Sequence, residues 1–122
     1  MKSPARIPQS EWSRTPPAWL GHVNGERFGT GATVLMYTSE EIGKGPKLHV
    51  HEYDEIFVVL EGRALFTVGG TEIEAEAGDI VFGPAGQPHK FHNLGPGTLR
   101  TVDIHVAPKW VQENLPDPDA RT

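Results

Sequence analysis

Six histidines occur among the 122 residues of this chain, and two of them stand one residue apart. In an extended strand alternate side chains share a face, so His49 and His51 can turn their imidazoles toward one point. Glu55 has the same parity, across a turn at residues 52–54. His89 belongs to a separate, later strand that a rolled sheet can bring opposite the first. Three imidazole nitrogens and one carboxylate oxygen suit borderline divalent ions: Fe, Mn, Ni, Cu, Co or Zn. A five- or six-coordinate ion held this way keeps open positions for a substrate or for oxygen. A His-x-His pair arises by chance about 0.3 times in a chain of this composition, so the pair gains meaning only from what surrounds it. The chain has no cysteine, which excludes thiolate ligands and a disulfide framework.

Positioning these residues falls to short strands. The composition is 37% apolar with 14 Gly and 11 Pro, which favours many strands joined by tight turns over long helices. Eight runs read as strands: ATVLMYTS, KLHVHE, EIFVVLEG, RALFTVGG, TEIEAEA, DIVFGP, HKFHNL and LRTVDIHV. Glu61-Gly62 and Gly69-Gly70 read as hairpin turns, where glycine supplies positive φ. We divide the chain into an N-terminal arm (1–27), a β-rich barrel (28–108) and a C-terminal tail (109–122). The arm holds Pro4, Pro8, Pro16 and Pro17, which discourage regular structure. Trp12 and Trp19 would be costly exposed surface, so the arm is expected to pack on the barrel or on a partner subunit. The tail is expected to open as a short helix, KWVQENL, that PDPDA ends.

Two segments resemble the paired motifs of the cupin superfamily. Gly43-x5-His49-x-His51-x3-Glu55-x6-Gly62 is similar to the first, and Gly78-x5-Pro84-x-Gly86-x2-His89-x3-Asn93 to the second. All ten defining positions match in type and spacing, and with their spacer the motifs cover residues 43–93. The resemblance implies an all-β fold, an antiparallel double-sheet jelly-roll β-barrel, with His49, His51, Glu55 and His89 as ligands of one divalent metal ion. Gly62 and Gly78 are expected at turns, Pro84 and Gly86 at a bend that aims His89 inward, and Asn93 in a structural role toward backbone. His92 has the opposite parity to His89 and is not expected to be a ligand.

The last strand bears on chemistry beyond the ligands. In LRTVDIHV, Leu99, Thr101, Asp103 and His105 share one face, and Arg100, Val102, Ile104 and Val106 the other. The polar-bearing face is expected to line something wet and the apolar face to be covered by another layer. In small cupins that resemble this chain, the corresponding strand lends an acidic residue to the pocket. Asp103 and His105 are therefore candidate catalytic residues, as general acid, general base or substrate anchor; with reversed parity Arg100 would take that place. Phe57, Phe91, Met36 and Tyr37 are candidate core or pocket-wall residues, with either Met36 and Thr38 or Leu35 and Tyr37 facing inward. Glu52 and Asp54 are expected in a solvated turn.

The net charge of −5, with Lys and Arg scattered, argues against a nucleic-acid surface. No apolar run approaches the roughly 20 residues of a membrane span, and MKSPARIPQSEWSRTPP offers no continuous apolar core for a signal peptide. A cytoplasmic location is the default expectation. Cupin folds host dioxygenases, decarboxylases, isomerases, lyases, sensors and storage proteins, so the fold does not give the function. The expectation is a metal-dependent enzyme of oxygenase or isomerase/lyase type. It would act on a small oxygen-bearing substrate that chelates the metal. A non-catalytic small-ligand (for example sugar) binding or sensing module is the alternative, and a metal that only stabilises the barrel is a third reading. A homodimer is expected, with the arm as the element to exchange between subunits.

Overall fold

The structure, a computed structural model, describes residues 2–119. Its strands are β1 (Gly21–Val23), β2 (Thr33–Ser39), β3 (His49–Val50), β4 (Glu55–Glu61), β5 (Arg63–Val68), β6 (Thr71–Glu76), β7 (Ile80–Gly83), β8 (His89–Asn93), β9 (Leu99–His105) and β10 (Glu113–Asn114). One helical turn, α1 (Gln9–Trp12), lies in the arm, and a 3-10 turn spans Gly25–Phe28. Two five-stranded antiparallel sheets, in the orders β1-β2-β9-β4-β7 and β10-β3-β8-β5-β6, face each other as a jelly roll whose sheets do not close into a continuous barrel. All eight runs read from the sequence contain a strand.

Local chemistry explains the turns. Gly69 and Gly70, with φ of 54° and 86°, make the two-residue connection between β5 and β6 that a right-twisted hairpin favours. Gly62, at φ 83°, sits where a Cβ would strike the carbonyl oxygen of Thr98. Asn93 ends β8 as three backbone bonds: its amide nitrogen donates to Ser39 O (3.1 Å) and Gly97 O (3.0 Å), and its Oδ1 accepts the Gly95 N–H (2.7 Å).

Both ends of the chain depart from expectation. The arm is not irregular throughout, since β1 joins the first sheet opposite residues 34–36 of β2. Its tryptophans pack on each other edge to face at 5.3 Å, and Trp19 Nε1 donates to Thr101 O at 2.9 Å, so they are spent on this chain's own sheet. The expected helix over KWVQENL does not form. Glu113 and Asn114 instead pair with Val50 and His49, because β3 leaves a row of unmet backbone groups at the sheet edge. Residues 120–122 of the tail lie outside the described residues.

The interior has two ends. Phe57 from one sheet meets Phe66 (5.0 Å) and Phe91 (5.8 Å) from the other, with Val59, Ala64, Val81 and Leu99 around them. At the opposite end the inward positions turn polar: Glu55 lies opposite His105, and His49 opposite His89. No helix among the described residues is long and apolar enough to cross a membrane.

Candidate metal centre

Strand parity and register assemble the polar end. His49 begins β3, Glu55 begins β4 and His89 begins β8, while His51 follows β3 directly. The bend before β8 is pinned to the turn after β3: Gly86 N–H donates to His51 O (2.9 Å) and Ala85 N–H to Asp54 Oδ1 (2.8 Å). Asp54 therefore has a structural partner, while Glu52 is exposed. This pinning sets His89 beside His51, with ring centres 4.8 Å apart. One ligand atom from each of His49, His51, Glu55 and His89 falls within 4.8 Å of all the others, and all four residues are buried. His92 is not part of the group.

The three histidines share a device. His49 Nδ1 faces Lys47 O (2.6 Å), His51 Nδ1 faces Tyr53 O (2.8 Å) and His89 Nδ1 faces Gln87 O (3.0 Å). A carbonyl only accepts, so each Nδ1 carries the proton and donates it. Each Nε2 is left as the nitrogen available to a cation, and those of His51 and His89 stand 2.8 and 3.0 Å from Glu55 Oε1. Bare ring nitrogens and a carboxylate oxygen cannot satisfy one another. Such a set takes up a cation, a proton or a divalent metal ion, and this donor chemistry fits the N/O preferences of Fe, Mn, Ni, Cu, Co and Zn. Burial lowers His49 to about 4, outweighing the opposing Lys47 carbonyl, so its imidazole is neutral and ready to ligate near pH 7. Burial alone would raise the Glu55 carboxyl. When the Nε2 atoms of His105, His51 and His89 carry a proton, their hydrogen bonds outweigh it and hold the group well below the usual carboxylate range.

Asp103 and His105 stand on the inward face of β9, and both are buried. His105 Nε2 lies 3.1 Å from Glu55 Oε2, the carboxylate oxygen not engaged by His51 and His89. A cavity of about 330 Å3 has His49, Glu55, Asp103 and His105 in its wall, with Phe57, Phe91 and Trp110 as apolar lining and Arg14 and Lys44 at its rim. Asp103 Oδ1 has no hydrogen-bond partner among the described residues. Burial first, and then the charge of Glu55, raise its carboxyl well above the usual range. A larger depression of about 710 Å3 behind β3 touches only His51 of the four ligand candidates, so the smaller cavity is the one that meets the chemistry.

The sequence expectation for β9 is half corrected. The polar-bearing face does line a cavity, but it is the buried face of the strand; Val102 and Ile104 point outward, half-exposed. Arg100 is on that outer side as well. On β2, Leu35 and Tyr37 lie opposite Asp103 and Thr101 and share their face, while Met36 has the other parity and is itself buried. Tyr37 and Phe91 meet edge to face at 5.3 Å and serve both the core and the cavity wall.

Sequence reading missed Tyr53. Its ring stacks on His51 at 4.1 Å and 7°. Its hydroxyl lies 2.7 Å from His105 Nδ1, donates to Val111 O (2.9 Å) and accepts the Val111 N–H (3.0 Å). Tyr53 shares the parity of residues 49, 51 and 55, a signal that was present in the spacing. Trp110, whose ring lies 6.2 Å from that of His105, had no such signal because only the folded tail brings it there.

Comparison with known proteins places this geometry in a wider set. A protein-family model described as Cupin domain matches residues 36–105. The chain is 29% identical over 79 residues to an acireductone dioxygenase of Geobacillus thermodenitrificans, covering 59% of this chain and 44% of that protein. It is 35% identical over 65 residues to an oxalate-binding protein of Thermotoga maritima, covering 52% of this chain and 54% of that protein. The chain spans about half the length of the curated relatives it matches. A solved structure of oxalate decarboxylase from Bacillus subtilis superposes with a TM-score of 0.71 at 21% identity, over 79% of this chain and 27% of that one, which is a likeness of fold.

Proposed function

The chain belongs to the cupin family, and from that premise we propose that it is a metal-dependent enzyme acting on a small, oxygen-bearing substrate that chelates the ion. The observation that carries the reading is Asp103: a buried carboxyl, without a partner on Oδ1 among the described residues, in the wall of the cavity that also contains His49 and Glu55. An unmet buried polar atom costs about 1–3 kcal/mol, and a ligand that brings its own oxygen to the cavity would offset that cost. His49, His51, Glu55 and His89 would hold the ion, which when bound supplies Lewis acidity or, if redox-active, oxygen chemistry. Asp103, whose raised affinity for its proton makes it a donor, would hand that proton to a substrate oxygen as general acid or anchor it by a hydrogen bond. His105 would hold the second oxygen of Glu55 and keep the carboxylate oriented. Phe57, Phe91 and Trp110 exclude water from that exchange. The acireductone dioxygenase relative supports the oxygenase form of the reading.

A second reading, a non-catalytic module that binds a small ligand, is favoured by the relative named for binding oxalate. One experiment separates the two. Protein loaded with Fe, Mn, Ni or Zn is assayed against β-diketones, hydroxy-ketones, sugars and small dicarboxylates for oxygen uptake and substrate loss. Turnover that falls about 10²–10⁴-fold in Asp103→Asn at unchanged metal content fits a general acid. Melting-temperature shifts with ligands but no turnover would favour the binding module. His49→Ala that keeps full metal content would sink the four-ligand site itself.

A further inference from the structure

The cavity beside the metal centre has walls of two origins. Its inner wall, carrying His49, Glu55 and Asp103, comes from strands inside residues 36–105, the span that matches the family model. Its mouth is finished by segments outside that span, with Arg14 from the arm and Trp110 from the tail. The two segments hold each other in place. Pro108 O accepts the Glu26 N–H at 2.7 Å, and Asn24 Oδ1 accepts the Trp110 N–H at 3.1 Å. The rings of His22 and Trp110 meet edge to face at 5.1 Å. Arg14 sits at a pinned turn: its N–H donates to Leu20 O (2.8 Å), and Ser13 Oγ donates to Ala18 O (2.6 Å). Its guanidinium carbon lies 5.9 Å from the Trp110 ring centre, within cation–π reach.

Charge divides along the same line. The acids of the wall, Glu55 and Asp103, are deep, 2% and 5% exposed, while the mouth carries the exposed cations Arg14 and Lys44. Lys44 already has Glu41 at 3.9 Å. Arg27, Arg63 and Arg100 each face a glutamate, at 3.1, 2.6 and 3.9 Å. Among the described residues, no carboxylate stands within ion-pair distance of the Arg14 guanidinium. An arginine held over an indole ring, with no acid to take its N–H donors, presents a planar fork. That fork fits a carboxylate through two parallel hydrogen bonds. We propose that Arg14 selects the substrate: it takes a carboxylate at the far end of a small acid whose other oxygen atoms face the metal centre. The inference rests on the metal-dependent reading above and adds to it the substrate class. The cavity, about 330 Å3, stands at the small end of ligand sites, which limits the acid to a short one. The arm thereby decides which chelating molecule is kept.

The test holds the chelating end of the ligand constant and changes only the far end. The full chain is loaded with zinc, which has no redox chemistry. It is then titrated calorimetrically with 2-hydroxysuccinate, 2-hydroxyglutarate and 2-hydroxyadipate, each against the amide of its far carboxyl. At the best-fitting length the diacid should bind about tenfold or more tightly than its amide, as a charge-assisted contact requires. Arg14→Gln should bring the pair within about twofold by weakening the diacid alone, at unchanged zinc content and circular dichroism. Arg14→Lys should keep part of the preference, because an ammonium retains the charge but not the fork. Lys44→Gln should leave the preference in place, since Lys44 is shared with Glu41. Equal affinities for diacid and amide at all three lengths, or no binding by either, would overturn the proposal. So would a preference that survives in Arg14→Gln. Failure of the enzyme reading looks different: no substrate turns over with any metal, while the preference and its dependence on Arg14 remain.

Discussion

Lys47 O, Tyr53 O and Gln87 O each accept the Nδ1 proton of a histidine two residues away, and these short loops fix which nitrogen each ring presents. The same residues set the response to acid. His49 is lowered by burial to about 4 from 6.5, so between those values the unfolded chain binds a proton that the folded chain refuses. Stability of the metal-free protein should therefore fall as pH drops from about 6.5 toward 4. Asp103 works in the opposite sense: its folded carboxyl is raised, so the stability it contributes is present at low pH and lost as pH rises through the folded value. Between about pH 4 and 6.5 the two oppose each other, so in thermal melts of metal-free protein Asp103→Asn should steepen the fall of stability toward acid that His49 causes, by removing the opposing Asp103 contribution. Tyr53→Phe removes the hydroxyl that joins His105 to Val111 but leaves the Tyr53 carbonyl on His51. It should weaken metal binding about tenfold, as loss of a ligand-orienting contact does, measured by competition with a chromogenic chelator. An unchanged affinity would assign Tyr53 to the tail alone.

At the scale of elements, β9 does the most. It runs between β2 and β4, so its inward residues meet both neighbours: Asp103 lies opposite Leu35 and Phe57, and His105 opposite Thr33 and Glu55. Its alternation was legible from LRTVDIHV, but which face turned inward was not, because period two is indifferent to the side on which the other sheet lies. The hairpins were legible too, since only glycine takes positive φ without strain. Gly62→Ala puts a Cβ into left-handed backbone and against the Thr98 carbonyl. It should lower stability by about 2 kcal/mol or more, seen as a melting point roughly 5–10 °C lower; a shift under 2 °C would contradict the turn geometry. The tail was misread because KWVQENL carries no signal for the edge of β3 that it covers, and its pairing at Glu113–Asn114 is a tertiary event.

For the whole molecule, an apolar end built on Phe57, Phe66 and Phe91 and a polar end built on three histidines and Glu55 share one interior. The polar end gathers imidazole nitrogens and a carboxylate that a cation would satisfy, so metal should bind the folded chain far better than the unfolded one. At a free metal concentration of 100 times Kd the gain is about 2.7 kcal/mol. Stripping the protein with a chelator should lower its melting point by several degrees, and returning the ion should restore it. The sequence by itself determined eight of the ten strands found among the described residues, the glycine turns and the ten motif positions with their histidine and glutamate spacing, because these are properties of neighbouring residues and of a two-residue period. Only the tertiary structure decided that Asp103 lines the cavity with no hydrogen-bond partner on Oδ1 among the described residues, that Tyr53 and Trp110 close around His105, and that an apolar sheet face is left on the outside. Each of those depends on which distant strand lies across from it, and no local period encodes that.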